Sequence, residues 1–319
     1  MTTDNAIVFD RVTKTFPAAS KPSVNETSLT IDKGMFVTIL GTSGSGKTTL
    51  LKMVNRIIEP TSGTISVFGK DVRALPLTEL RQSIGYVIQQ VGLFPHMTIE
   101  QNIATVPNIL GWDREKTNGR IKYLMDLVHL PADFRQRYPR QLSGGQQQRV
   151  GIARAMAGDP EVLLMDEPFG AIDAITRTRL QDDFLDIQRQ LGKTVLFVTH
   201  DVDEALKLGN RIVVMNEGSI QQFDTPLGMV SNPANEFVRQ LIGSDNLFLR
   251  LQLIRAEEKM TALTEPARAE EAHICTDDNL REALQLLLRQ DARRVIVDNA
   301  QGTAVGQLTL DLIKMDRQG

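Results

Sequence analysis

The sequence has little that would point to a secreted, membrane-spanning or nucleic-acid-binding protein. Among 319 residues there is one cysteine, Cys275, which excludes an internal disulfide and a zinc site built from cysteines. No apolar run approaches the roughly 20 residues that a spanning helix needs, and the polar start, residues 1–5, is not typical of a signal peptide. The 36 Lys and Arg against 39 Asp and Glu give a net charge of -3, which does not favour a nucleic-acid partner. We therefore expect a cytosolic chain with no nucleic-acid partner.

What the sequence does have is the composition of a folded globular protein. Hydrophobic residues make up 41% and charged residues 24%, both near the globular average, so wholesale disorder is not expected. A chain of this length predicts two domains, one of them large enough to bury a sizeable core.

The larger domain has the pattern of an α/β fold. Unbroken apolar runs at 36–40, 162–165 and 195–198 are typical of strands covered on both faces of a largely parallel sheet. Between them, residues 89–160 have helix-like patterns interrupted by prolines, which predicts an inserted helical subdomain.

Two further segments of this domain have strand signals. The β-rich runs in the first thirty-odd residues predict a small antiparallel β subdomain. Residues 212–223 contain the turn Asn216-Glu217-Gly218 and predict a hairpin. We expect this domain to span residues 1–245.

The end of the chain has a pattern of its own. We expect a linker over 246–269 and a small α/β unit over 270–319. Within that unit, apolar residues at helical spacing follow Asn279 and Glu282, which resemble a capping box, and residues 295–297 and 303–308 predict two strands.

A glycine-rich loop follows the first buried strand and opens a helix. Its residues are Gly41, Thr42, Ser43, Gly44, Ser45, Gly46, Lys47 and Thr48. This is the phosphate-binding P-loop pattern, in which glycines let backbone N–H groups wrap the phosphates and the helix N-terminus adds partial positive charge. We expect Lys47 to reach the β- and γ-phosphates and the Thr48 hydroxyl to ligate Mg²⁺.

Two adjacent carboxylates end the apolar run 162–165. Asp166 is expected on the metal side and Glu167 as the general base for the attacking water, because a P-loop site needs a carboxylate at Mg²⁺ and a base at the nucleophile. At this point the pattern predicts hydrolysis of ATP or GTP.

A second turn lies within the predicted helical subdomain. Ser143, Gly144, Gly145 and Gln146 precede a helix whose N-terminus is able to bind an anion, although Ser143 could simply cap that helix. The string from 142 to 149 resembles the signature of ABC-type ATPases. Over residues 6–240 the chain is similar to the nucleotide-binding subunit of an ABC transporter.

The resemblance implies roles for four further residues. Gln89 matches the residue that senses Mg²⁺ and the attacking water and contacts the membrane subunit, and His200 matches the switch histidine that contacts the γ-phosphate. Asp173 lies in the loop that crosses to the second subunit, and Phe16 lies where an aromatic ring stacks on adenine.

The implied site is therefore an ATP and Mg²⁺ site. The residues expected to act in catalysis are Glu167, His200 and Gln89. The residues expected to bind the nucleotide are Phe16, Gly41, Thr42, Ser43, Gly44, Ser45, Gly46, Lys47, Thr48, Thr49, Ser143, Gly144, Gly145, Gln146 and Asp173. The expected metal ligands are Thr48, Gln89 and Asp166.

The resemblance also implies partners. Each ATP is expected between the P-loop of one copy and the Ser143 turn of a second copy in a head-to-tail dimer. Integral membrane permeases would move the load, with a substrate-binding protein as an indirect partner. The chain would then lie at the cytoplasmic face of the bacterial inner membrane.

Segments outside the catalytic motifs bear on the cargo. Residues 41–49, 51–56, 85–98 and 101–107 resemble bacterial importers of osmoprotectants of the glycine betaine, choline and carnitine type. The tail over 270–319 resembles one CBS motif, a module that several such importers carry, and its alternative is a generic dimerisation unit. Other interpretations are an importer of another small solute such as an amino acid, a soluble ABC-type ATPase, or a regulator whose functional end is the tail.

Overall fold

The chain folds as two compact units. The computed structural model describes residues 5–17, 19–89, 92–268, 270–289 and 292–315. Unit 1 is Met1–Asp224 and unit 2 is Thr225–Gly319. No helix in these described ranges is both long and apolar enough to cross a membrane. The predicted ATPase domain, residues 1–245, therefore reaches into unit 2, and its limits as a functional domain remain a prediction.

The elements alternate between strands and helices along most of the chain. The described strands are β1 (Asn5–Lys14), β2 (Val24–Asp32), β3 (Phe36–Gly41), β4 (Ser62–Val67), β5 (Lys70–Asp71), β6 (Ile84–Val87), β7 (Val162–Asp166), β8 (Thr194–Val198), β9 (Arg211–Asn216), β10 (Ser219–Asp224), β11 (His273–Cys275), β12 (Val295–Asp298) and β13 (Ala304–Leu308). The described α-helices are α1 (Lys47–Val54), α2 (Leu77–Gln82), α3 (Ile99–Ile109), α4 (Arg114–Leu127), α5 (Gly144–Met156), α6 (Ala174–Leu191), α7 (Val202–Leu208), α8 (Pro226–Ser231), α9 (Glu236–Ile242), α10 (Leu247–Leu253), α11 (Ala256–Lys259), α12 (Leu280–Arg289) and α13 (Leu310–Met315).

A six-stranded sheet forms the centre of unit 1. Its strand order is β10-β9-β3-β8-β7-β6, and every pair is parallel except the hairpin of β9 and β10. Each residue of β3, β7 and β8 is buried, as expected for apolar strands covered on both faces. The predicted parallel α/β core and the predicted hairpin are confirmed.

The register of this sheet brings three strand ends together. Ile39 of β3 and Asp166 of β7 are both paired with Val198 of β8. The loops that follow these strands therefore leave the sheet side by side at its carboxyl edge, where open α/β sheets bind ligands.

An antiparallel sheet forms the second layer of unit 1. Its strand order is β2-β1-β4-β5, with β1 antiparallel to both β2 and β4. The predicted antiparallel region is confirmed. Its apolar side chains join one core cluster with α1 and the central sheet, including Ile7, Ile65, Leu50 and Val198.

Helices occupy the chain between β6 and β7. They are α3, α4 and α5, with 3₁₀ turns at Ala132–Gln136 and Pro139–Gln141. Reciprocal capping boxes at Thr98 and Ser143 begin α3 and α5. Within the predicted helical subdomain, Gln90 and Val91 belong to the segment expected to face a permease and lie outside the described residues.

Unit 2 contains a small sheet of order β11-β12-β13, with α12 between β11 and β12. The predicted α12, β12 and β13 are confirmed. The sequence did not predict β11, because only Ile274 of its three residues is buried and three residues are too few to show alternation.

The segment predicted as a linker, 246–269, is structured at its start. It holds α10 and α11, and its Leu251, Ile254 and Ala256 belong to the core of unit 2. Residues 246–259 are thus part of the unit rather than an extended connection. The resemblance of 270–319 to a CBS motif stays a prediction.

Candidate functional site

A cleft of about 490 Å³ opens at the carboxyl edge of the central sheet. Its lining residues are Ser23, Ser43, Gly44, Gly46, Lys47, Thr48, Thr49, Gln89, Glu167 and His200. All except Ser23 are residues that the sequence predicts for one site, although they come from four separate segments of the chain. The structure therefore brings the predicted P-loop, Gln89, Glu167 and His200 together.

The loop between β3 and α1 depends on glycine at Gly46. Its φ is 102°, a left-handed conformation, and a Cβ there would lie 2.1 Å from the carbonyl oxygen of Ser23. Gly46 also begins α1 with no side-chain cap, so no side chain of the loop occupies the first N–H groups of the helix. An uncapped helix N-terminus facing a cleft is suited to phosphate.

Lys47 lies at the base of the cleft. The residue is only 6% exposed, and Nζ donates to the carbonyl oxygens of Gly41 and Thr42, both at 2.8 Å. Burial lowers the pKa of Lys47, and the nearby charges of Glu167 and Asp166 act in the opposite direction. Lys47 is thus a buried cation directed at the loop that would wrap a phosphate.

Asp166 contacts the first turns of α1. The Thr48 hydroxyl donates to Asp166 Oδ1 at 2.8 Å, and Lys52 Nζ lies 3.6 Å from Oδ2. Burial and the charge of Asp166 both raise the pKa of the neighbouring Tyr86 phenol. Lys52 was not predicted as a site residue, yet helical spacing places it one turn after Thr48 on the same face of α1.

Glu167 is the point where the catalytic candidates converge. Its Oε2 accepts a hydrogen bond from Gln89 Nε2 at 3.2 Å and lies 3.2 Å from His200 Nδ1. Its own N–H donates to the carbonyl of Val198 at 3.0 Å, which fixes it against β8. A carboxylate positioned at a cleft in this way is able to accept a proton from a water molecule.

Three predicted P-loop residues are not in the lining of the cleft. Gly41 and Thr42 supply the carbonyls that hold Lys47. Ser45 is buried, and its carbonyl accepts a hydrogen bond from the N–H of Gly218 at 3.1 Å. Their backbone carbonyls therefore help to hold the conformation of the loop and of Lys47.

The predicted signature turn does not line this cleft. Ser143 caps α5, accepting from the N–H of Gln146 at 3.4 Å, while its own N–H donates to Gln146 Oε1 at 2.9 Å. A Cβ at Gly145 would lie 2.5 Å from Thr176 Cγ2, so a larger residue there would have to displace the Thr176 side chain on α6. Nothing lies within 4 Å of a Cβ at Gly144.

Asp173 and Phe16 also lie outside the lining of the cleft. Asp173 caps α6 and accepts from the N–H of Thr176 at 3.0 Å, and this bond is the main cause of its lowered pKa. Phe16 is 38% exposed, and Lys14 Nζ lies 5.1 Å from its ring centroid. Within one chain, the signature turn, Asp173 and Phe16 are therefore separate from the P-loop cleft.

Comparison with known proteins places these observations in a family. Residues 24–170 match the model of the ABC transporter family. The chain is 47% identical to the carnitine transport ATP-binding protein OpuCA of Listeria monocytogenes, over 97% of this chain and 76% of that protein. It is 47% identical to the glycine betaine uptake system ATP-binding protein YehX of Escherichia coli, over 95% of this chain and 97% of that protein.

A solved structure shares the fold over about two thirds of this chain. It is the dimeric structure of a post-hydrolysis state of the ATP-binding cassette MJ0796 bound to ADP and Pi. The match has a TM-score of 0.62 and 33% identity, and it covers 69% of this chain and 98% of that one.

Proposed function

This chain belongs to the ATP-binding subunits of ABC transporters, and from that premise we propose that it powers the import of a quaternary-amine osmoprotectant such as glycine betaine, carnitine or choline. The chain is an ATPase of this family. The observation that supports the cargo class is similarity along nearly the whole chain to relatives named for carnitine and glycine betaine transport.

In the proposed site, ATP lies in the cleft with its phosphates against the P-loop. Lys47 and the N-terminus of α1 neutralise phosphate charge, and His200 contacts the γ-phosphate. Glu167 accepts the proton of the attacking water, positioned by Gln89 and His200.

The oxygen atoms of this site fit a magnesium ion. The Thr48 hydroxyl, the Asp166 carboxylate and the Gln89 amide are hard oxygen donors of the kind Mg²⁺ takes beside substrate phosphates. When bound, the ion would supply charge neutralisation at the β- and γ-phosphate oxygens.

The proposed working form is a head-to-tail dimer of two copies. The P-loop cleft of one copy would be completed by Ser143 to Gln146 of the other, with Asp173 in the loop that crosses between them. The position of the Ser143 turn outside the lining of its own chain's cleft supports this arrangement.

The proposed membrane partners are permease subunits, which would hold the chain at the cytoplasmic face of the plasma membrane, with a substrate-binding protein as indirect partner. Ile88 and Phe94, which flank the segment around Gln89, are 36% and 39% exposed. Exposed apolar side chains at this position suit a protein contact. The assignment of residues 1–245 to an ATPase domain and of residues 270–319 to a CBS-like unit is part of this proposal.

Uptake in cells tests the proposal. A strain lacking other betaine importers would carry the native chain with its permease, or the same chain with Glu167→Gln. We expect uptake of radiolabelled glycine betaine, carnitine or choline at high osmolarity with the native chain only, because the variant lacks the base. Uptake of an amino acid instead of these quaternary amines would overturn the proposed cargo class. Membrane association of the Glu167→Gln chain is the control, because it shows that the variant still reaches its permease.

A further inference from the structure

Two loops of the proposed machinery each lead directly into a helix. Residues 171–173 precede α6, and His200 precedes Asp201, the residue that caps α7. The first turns of these two helices lie against each other through polar side chains. A displacement of one loop therefore has a physical route to the other.

Arg177, in the first turns of α6, contacts both loops. Its Nη2 donates to the carbonyl oxygen of Ile172 at 2.9 Å, within the loop expected to cross to the second subunit. Its Nη1 lies 3.8 Å from Asp201 Oδ2, next to His200 in the chain. One guanidinium thus connects the crossing loop to the residue that follows the switch histidine.

Asp201 connects Arg177 to the first turn of α7. Its Oδ1 accepts from the N–H of Glu204 at 3.1 Å and caps the helix, while Oδ2 faces Arg177. One carboxylate therefore has a separate partner on each oxygen, and its orientation depends on both.

A buried hydrogen bond reinforces the same helix pair one turn further along α6. Gln181 Nε2 donates to Glu204 Oε1 at 3.0 Å, and both side chains are buried. Burial raises the pKa of the Glu204 carboxyl. A cavity of about 30 Å³ beside these groups is also lined by Glu167 and His200, so the contacts lie immediately behind the proposed catalytic pair.

We propose that Arg177 is a positioning residue that couples the loop at 171–173 to His200, so that docking of the second copy on that loop sets His200 and Glu167 for hydrolysis. This inference rests on the proposed head-to-tail dimer. It predicts that Arg177 affects turnover and cooperativity between the two ATP sites rather than nucleotide binding by one copy.

The molecule offers a matched control. Lys207 Nζ lies 2.6 Å from Asp182 Oδ1, a second ion pair between α7 and α6 that touches neither loop. Its lysine is as exposed as Arg177, at 32% of the side chain for each. Lys207→Gln therefore removes an α6–α7 ion pair without removing the connection between the loops.

The experiment measures ATP hydrolysis against ATP concentration for the full chain and for Arg177→Gln, Arg177→Lys and Lys207→Gln. For Arg177→Gln we expect kcat to fall about tenfold or more and the Hill coefficient to approach one, as expected from misplaced catalytic groups. Binding of a fluorescent ATP analogue to one copy should stay within about twofold of native. Arg177→Lys should recover part of kcat, and Lys207→Gln should behave as the native chain.

Other outcomes would contradict either the coupling role of Arg177 or the proposed dimer. Equal behaviour of Arg177→Gln and Lys207→Gln, or a lower kcat with an unchanged Hill coefficient, would overturn the coupling role alone. A native chain that does not dimerise with ATP would overturn the proposed dimer and the inference with it. If Arg177→Gln does not fold, Asp201→Asn keeps a capping oxygen but loses the charge and should show the same loss of cooperativity.

Discussion

Glu167 occupies a backbone conformation that is unusual for glutamate. Its φ is 45°, in the left-handed region, which costs of the order of 1–3 kcal/mol for a residue other than glycine. The bond from its N–H to the Val198 carbonyl and the contacts of its side chain with Gln89 and His200 hold it there. The strained backbone thus lowers the stability of the fold, but it fixes the direction of the Glu167 carboxylate.

Asn102 is a second residue whose side chain is held in one orientation by its hydrogen-bond partners. It is fully buried, its Oδ1 accepts from the N–H of Phe94, and its Nδ2 donates to the carbonyls of Phe94, Met97 and Thr98. Asn102 therefore shapes residues 94–98, the segment next to Gln89 that is proposed to face a permease.

We predict that Asn102→Ala lowers the free energy of unfolding by about 3 kcal/mol, because the partners of a buried amide would be left unsatisfied. Chemical denaturation measures this directly. Asn108, exposed on the same helix α3, gives the control: Asn108→Ala should leave stability nearly unchanged. Equal losses for the two variants would contradict the role assigned to the buried amide.

The residues of the P-loop were predictable from sequence because their spacing follows from phosphate geometry. Ser23, Lys52 and Asn102 were not predicted, and the reasons differ. Ser23 and Asn102 act through long-range or buried contacts that no local pattern specifies. Lys52 lies four residues after Thr48, so helical spacing alone would predict it on the same face of α1.

At the scale of elements, an arginine holds together one end of the small sheet in unit 2. Arg294, just before β12, donates through Nε to Glu271 Oε1 at 2.7 Å and through Nη2 to Oε2 at 3.0 Å. It also donates to the carbonyls of Glu265 and Pro266. The segment before β11 is thus held against the sheet by one guanidinium.

This contact makes the stability of unit 2 depend on pH. Hydrogen bonding to Arg294 lowers the pKa of Glu271 from 4.5 to about 2. A carboxyl with a depressed folded pKa stabilises the fold above its unfolded pKa, and that contribution is lost as pH falls from 4.5 towards about 2. We predict that Glu271→Gln lowers the unfolding temperature of unit 2 at neutral pH, and that the difference from native shrinks over this range.

Calorimetry across this pH range tests the prediction. Glu265→Gln is the control, because the Glu265 side chain pairs with Arg268 at an exposed position, and the hydrogen bond from Arg294 is to the Glu265 backbone carbonyl, which the substitution keeps. A Glu271→Gln difference that stays constant down to the acid end of the range would show that the carboxylate charge is not what Arg294 requires.

The predictability of elements followed their length and periodicity. The apolar strands β3, β7 and β8 and the helix α12 have patterns that sequence alone reveals. The strand β11 and the helices α10 and α11 are short, and the packing of unit 2 rather than their own sequence determines them.

At the scale of the whole molecule, the proposed dimer divides each ATP site between two chains. Lys47→Ala removes the phosphate cation of a P-loop, and Ser143→Arg blocks a signature turn. Neither variant alone should form an ATP-dependent dimer when Glu167→Gln is also present to prevent hydrolysis.

We predict that an equal mixture of the Lys47→Ala and Ser143→Arg chains, each also carrying Glu167→Gln, forms an ATP-dependent dimer. The intact P-loop of the Ser143→Arg chain would face the intact signature turn of the Lys47→Ala chain, which rebuilds one complete site. Light scattering with ATP measures the mixed dimer, and each variant alone is its control. A mixture that remains monomeric would contradict the head-to-tail arrangement.

The reciprocal cap of α5 has a consequence for how such a molecule rests between cycles. Ser143 and Gln146 satisfy each other's backbone N–H groups, so these two groups already have partners before a second chain docks. A free phosphate ion would have to displace that cap from dilute solution. In the proposed dimer the phosphates arrive already held by the other chain, at a high effective concentration. The cap would therefore oppose a nucleotide presented by the other chain less effectively than it opposes dilute phosphate.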